Sequence, residues 1–202
     1  MSSIEEQELK DRLSLIESMI AEGRRTTESW GWTFALWGVA YYVAIAWSAW
    51  GPSNIAWPVT MIAAAILTWI FASRSESKRP ETTIGRAMLA IWAGMGISTF
   101  LVMMCLGISG RLELHVAVAI VGAMLGAANT TSSIILKWKM QFACAVVWWA
   151  TAAASCFISE GHAGIVFLIA IFFCQIVFGI YGMLAESRKR KGSGAGQGAS
   201  HA

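Results

Sequence analysis

Two short triplets carry most of the ligating chemistry in this chain: Glu113-Leu114-His115 and Glu160-Gly161-His162. Each sets a carboxylate two residues before an imidazole, and each falls in a break between apolar stretches. Two histidines and two carboxylates could bind zinc, or the histidine pair could respond to pH. A pair of ordinary polar turns would look the same in sequence, and that plainer reading is the expectation, with no metal and no cofactor. No Ser-His-Asp or Cys-His set converges, and no glycine-rich loop follows a strand to hold a phosphate. The chain therefore reads as a non-enzyme.

A second group of polar residues lies inside apolar runs. Asn129-Thr130-Thr131-Ser132-Ser133 forms a patch, with Gln175 and Tyr41-Tyr42 elsewhere. In membrane helices such residues more often hydrogen-bond between helices than line a path, so glue is the expected role of Asn129, Thr130 and Gln175. Trp37, Trp92, Trp148 and Trp149 could box a quinone, pigment or lipid tail, but packing is the expected use of their bulk. The four cysteines, Cys105, Cys144, Cys156 and Cys174, all sit in apolar runs, where they act as small hydrophobic side chains. No Asp, Glu, Lys, Arg or His stands at the centre of any such run. Proton relays, ion pathways and voltage sensors are built from those residues, so an ion-coupled pump is not expected.

The elements that must position these groups follow from composition. Of the 202 residues, 56% are hydrophobic and 13% charged, and the mean hydropathy is +0.59. A soluble domain carries about 25% charge, so this chain could not cover a soluble surface. A bilayer core needs about 20 apolar residues in helical form, and six stretches meet that need: 32–50, 55–73, 87–108, 115–136, 140–158 and 163–185. The sequence thus predicts an all-α membrane protein of about six transmembrane helices as three hairpins, preceded by a cytoplasmic amphipathic helix. Residues 1–29 form that helix, 30–187 the six-helix bundle, and 188–202 a basic, then Gly/Ser-rich disordered tail. Gly51-Pro52-Ser53-Asn54 makes a tight turn, and Pro80 lies in the charged loop after the second span. The first apolar run starts near Trp30 behind an acidic segment, so no cleavable signal peptide is expected.

Charge sets the orientation. Fourteen of the 15 basic residues fall on one side of a six-span scheme, against Arg111 on the other. Because Lys and Arg stay inside, both termini are predicted in the cytoplasm, with the chain in the plasma (bacterial inner) membrane. Trp30, Trp32, Trp69 and Trp138 then fall at the inner interface, and Trp47, Trp50 and Trp57 at the outer one, depths that suit an amphipathic indole. Trp37, Trp92 and Trp148 recur at nearly one period within Leu36-Trp37-Gly38, Ile91-Trp92-Ala93 and Val147-Trp148-Trp149. That spacing, with Thr26-Thr27 and Thr82-Thr83 before the first and third spans, is consistent with a threefold parallel repeat of hairpins. Gly122 and Gly126 form a GxxxG, which marks close helix packing within the monomer or between subunits.

The N-terminal segment is the most informative soluble element. Ser3 and Glu6 form a capping box. Leu9, Leu13, Ile16 and Ile20 recur at 4-3-4 spacing with Met19 beside them, one apolar stripe. Residues 1–23 hold six acidic side chains against Lys10 and Arg12. Helices that lie on membranes are rich in Lys and Arg, and an acidic one is repelled by anionic lipid. The stripe is therefore expected against protein: its own cytoplasmic loops first, otherwise a second copy (a homo-oligomer) or a cytoplasmic protein partner. Membrane lipid is the other expected neighbour of the chain, and nucleic acid is not one.

Three segments also carry a resemblance. Leu15-Ile16-Glu17-Ser18-Met19-Ile20, Phe34-Ala35-Leu36-Trp37-Gly38-Val39 and Ile135-Leu136-Lys137-Trp138-Lys139 resemble a family of uncharacterised bacterial six-span membrane proteins. The family pattern is an Ile-Glu-x-Met-Ile helix, a Leu-Leu-Trp-Gly first span and a Leu-Lys-Phe-Lys-Pro lead into the fifth. Met140 stands where that family has proline, and its closing Pro-Gly is absent here. The resemblance implies fold and topology. Genes of the family often neighbour a small winged-helix regulator, which points to signalling. Function is accordingly expected to be protein interaction, as a signalling or accessory subunit. The alternative is a carrier or scramblase for a neutral or lipid-like solute.

Overall fold

The computed structural model describes residues 3–29, 31–51, 53–76, 83–185 and 187–188. Trp30, Pro52, the loop holding Lys78, Arg79 and Pro80, Thr82, and the tail from 189 onward lie outside the described residues. So do the side chains of Ser3, Thr26 and Thr27.

Among the described residues the chain is all-helical. A helix satisfies every backbone polar group within its own segment, which is what apolar surroundings demand. Seven helices follow one another: α1 (Ser3–Ser29), α2 (Gly31–Trp50), α3 (Ser53–Glu76), α4 (Thr83–Ile108), α5 (Leu114–Leu136), α6 (Lys139–Ser155) and α7 (Glu160–Ile171). The last runs on through a π-helical turn, Phe172–Val177, to Ala185. Each of the six apolar segments is helical. Four of them are long and apolar enough to cross a membrane: Ile55–Arg74, Thr83–Ile108, Leu114–Leu136 and Glu160–Ala185. The other two fall short for different reasons. Four tryptophans and two tyrosines lower the hydropathy of α2, and α6 has 17 residues, a turn less than a perpendicular crossing requires.

Two helix ends use the same device to reverse the chain. After α4, Gly110 takes a left-handed φ of 68°. Its N–H bonds the Gly107 carbonyl and the Arg111 N–H that of Leu106. After α5, Lys137 takes φ 49°, with its own N–H on the Ile134 carbonyl and the Trp138 N–H on that of Ser133. These are Schellman turns, whose left-handed residue is usually glycine; at Lys137 a side chain tolerates it. Such tight turns leave the following helix antiparallel and adjacent.

Packing is tightest between α5 and α6. Lipid tails are as apolar as leucine, so helices in a membrane associate through close contact of small residues. Gly122 and Gly126 supply that contact here. A Cβ on Gly122 would lie 2.9 Å from the Trp148 carbonyl oxygen, and one on Gly126 would collide with the Trp149 indole. The GxxxG thus packs within the monomer. A similar approach joins α2 to the end of the last helix, where Gly31 and Gly179 face each other's backbone. Trp148, at 0% exposed, anchors the core with Val118, Leu125, Phe167 and Ile171.

The edges are open. Half of α5's most apolar window is buried, but none of α4's, so α5 is central and α4 peripheral. The main contacts of α3 are with α2, and those of α4 are with α5 and α1. The closest pair, α5 with α6, joins two of the expected hairpins instead of forming one of them.

Candidate functional site

The two Glu-x-His triplets come together in part. Glu113 is the extended N-cap of α5 (φ −99°, ψ 146°), and its carboxylate caps no backbone N–H. It turns to His115, whose Nε2 lies 3.3 Å from Glu113 Oε2. The opposite ring nitrogen, Nδ1, lies 3.7 Å from Glu160 Oε1 at the start of α7. One ligating atom from each of the three residues falls within 4.8 Å of the other two. The glutamates are exposed and the imidazole is half-buried. Leu114 lies beside Gly164 of α7, and the Schellman turn at Gly110 delivers the chain to Glu113. His162 is not in the cluster. Its Nδ1 is 2.7 Å from the Ser159 hydroxyl one turn back.

A neutral imidazole offers one lone pair and each carboxylate two oxygens, so the three side chains together are nitrogen and oxygen donors of the kind a divalent cation takes.

Inside the bundle, the hydrogen bonds of Asn129, Thr131 and Ser133 stay local. Asn129 Nδ2 donates to the Leu125 carbonyl at 2.8 Å, Thr131 to that of Ala127 and Ser133 to that of Thr130. All three acceptors lie in α5 itself, so these bonds are not interhelical glue. Bonds between helices come from Tyr42, one of the polar residues grouped with that patch, whose Oη donates to the Leu168 carbonyl at 2.9 Å, and from Cys174, whose Sγ donates to that of Cys144 at 3.7 Å. The π turn makes the second contact feasible. It aims Cys174 at α6 while Gln175 lies against α2 at Gly38. Thr130 Oγ1, Ser132 Oγ, Gln175 Oε1, Trp148 Nε1 and both amide atoms of Gln141 are buried with no protein partner. Gln141 carried no expectation from sequence, although it sits in an apolar run. The four mid-span tryptophans do not form a box. Trp37 contacts Tyr41, Trp92 contacts Phe34 and Trp148 contacts Phe167, and none of the four makes a ring contact with another.

On α1 the expected stripe is present and uncovered. Leu9 is 49%, Leu13 53%, Ile16 53% and Met19 40% exposed, and Ile20 is half-buried. The helix approaches α2, α4 and α5, yet every side chain from 5 to 19 is exposed. Lys10 pairs with Glu6 at 2.7 Å and Arg12 with Glu8, so both cations of this stretch are engaged within the helix and the surplus charge is negative.

Comparison with models of known families, with curated proteins and with solved structures finds no match for this chain.

Proposed function

We propose that this chain is a six-span integral membrane protein, arranged as three hairpins with both termini in the cytoplasm of a bacterial cell, that acts by binding a protein through α1. The observation that carries the reading is the uncovered stripe of Leu9, Leu13, Ile16 and Met19. An amphipathic helix buries its apolar face against something, and along 5–19 the chain's own bundle does not supply it. The negative surplus disfavours anionic lipid. It suits a partner with an apolar groove rimmed by Lys and Arg, the helix-in-groove mode of recognition. The lack of charged residues at the centres of the apolar helices supports a signalling or accessory subunit over an ion-coupled transporter. α2 and α6 serve as spans in this reading, α2 because its aromatics suit the interfaces and α6 because neighbours shield its short length.

Pull-down of the full chain and of a form lacking residues 1–28 tests the reading. A specific partner held by the first and lost by the second is the expected result. Equal recovery from both removes α1 from the account.

A second reading rests on the buried polar atoms of Ser132, Gln141, Trp148 and Gln175. An unpaired buried polar group costs about 1–3 kcal/mol, and several together suit a passing solute with hydrogen-bonding groups. The chain would then be a carrier or scramblase for a neutral or lipid-like molecule. Flux of such a solute in reconstituted vesicles, reduced by Gln141→Leu and with no partner found for α1, would favour it.

A further inference from the structure

We infer that Glu113, His115 and Glu160 form a three-ligand site for a divalent cation, zinc foremost, that ties the start of α5 to the start of α7. The inference is independent of the role proposed for α1. Three observations carry it. The residues lie in two connections well separated along the chain, yet their ligating atoms fall within 4.8 Å of one another. Glu113, though an N-cap, leaves its own helix uncapped and faces the imidazole instead. A carboxylate oxygen lies 3.3 Å from one nitrogen of the imidazole and another 3.7 Å from the other, so donors from both helix starts already stand around one ring.

The chemistry of the set suits zinc. Two carboxylates and a neutral imidazole carry two negative charges, which a divalent ion neutralises. Zinc bonds of about 2.0–2.2 Å to imidazole nitrogen and carboxylate oxygen place tetrahedral ligands roughly 3.4 Å apart. The ion takes one ring nitrogen, and the two carboxylates reorient to join it. Exposed glutamates have the torsional freedom to do so. Three protein ligands leave a fourth position for water, the open form of a zinc site. Among first-row divalent ions, mixed imidazole and carboxylate ligands accept zinc readily, while calcium and magnesium prefer oxygen alone.

The plainer account is a protonated His115 held between two glutamates as an exposed ion pair. The two accounts predict opposite responses. The test uses the full-length protein in detergent, with zinc chloride titrated at pH 7.5 and at pH 5.0. The expected result is saturable one-to-one binding and a raised melting temperature at pH 7.5. Both should be lost at pH 5.0, because a ligating imidazole must be deprotonated. His115→Ala, Glu113→Gln and Glu160→Gln should each weaken binding at least about tenfold, the loss that even outer partners of metal sites produce. His162→Ala should leave it unchanged. X-ray absorption at the zinc edge should show a shell of nitrogen and oxygen with one imidazole. Binding that survives His115→Ala would overturn the inference, as would a cluster that stabilises the protein only at pH 5.0 and ignores zinc. The glutamine variants keep shape at exposed positions, and their melting without zinc verifies that they fold.

Discussion

Tyr42 and Asn129 are both polar side chains in apolar helices, and their bonds go to different places. Asn129 returns to its own α5 backbone, whereas Tyr42 reaches across to the carbonyl of Leu168. Removing the tyrosine hydroxyl should therefore loosen α2 from α7. Tyr42→Phe is expected to lower stability in detergent by about 0.6 kcal/mol, and by no more than about 1.7, as for measured bonds between membrane helices. Thermal melting beside the parent protein checks it. The Glu-x-His triplets show what spacing can and cannot say at this scale. Glu160 and His162 lie two apart inside one helical turn, where residues point to nearly opposite sides, so the second triplet could not bring both of its ligating side chains to one point. Glu113 escapes that restriction because it is an extended cap, and it shares a side with His115. The spacing alone does not reveal which member of a triplet is cap and which is helix.

At the scale of elements, hydropathy locates the apolar helices and the GxxxG marks one close crossing. It does not say with which partner. The structure places Gly122 so close to the backbone of Trp148 that a Cβ would lie only 2.9 Å from its carbonyl oxygen, whereas a Cβ on Gly94 of α4 would meet nothing within 4 Å. Gly122→Leu should force α5 from α6 and lower stability by about 1–3 kcal/mol, the cost of overpacking a well-filled site. Gly94→Leu should change it by less than about 0.5 kcal/mol, as at uncrowded surface positions. Detergent melting of the two variants compares them directly, and equal losses would remove the glycine crossing as the cause. The π turn at Phe172–Val177 was not legible, because one extra residue in a turn leaves the hydrophobic pattern almost unchanged. Its effect is local: adjacent Cys174 and Gln175 face different helices. For α1 the stripe was legible, but its exposure was not. Periodicity identifies an apolar face, and only the placement of the neighbours tells whether that face is covered.

At the scale of the whole molecule, the distribution of Lys and Arg is the strongest constraint on topology. Reporter fusions after Lys191 and near Arg79 should read as cytoplasmic, and fusions near Gly51, Arg111 and Gly161 as external, since basic residues set orientation. An external reading at Lys191 would break the six-span scheme. The six-span scheme would put α1 at the cytoplasmic surface; its apolar stripe is uncovered along 5–19 and Lys10 and Arg12 are paired within the helix. The account depends most on what covers that stripe. A photo-crosslinking residue placed in turn at Leu13, at Ile16 and, on the opposite face, at Ser18 measures this in the intact cell. The account predicts adducts to a second protein from positions 13 and 16 and none from 18. Crosslinks from 13 and 16 confined to lipid or to the chain's own α2, α4 and α5 would contradict it.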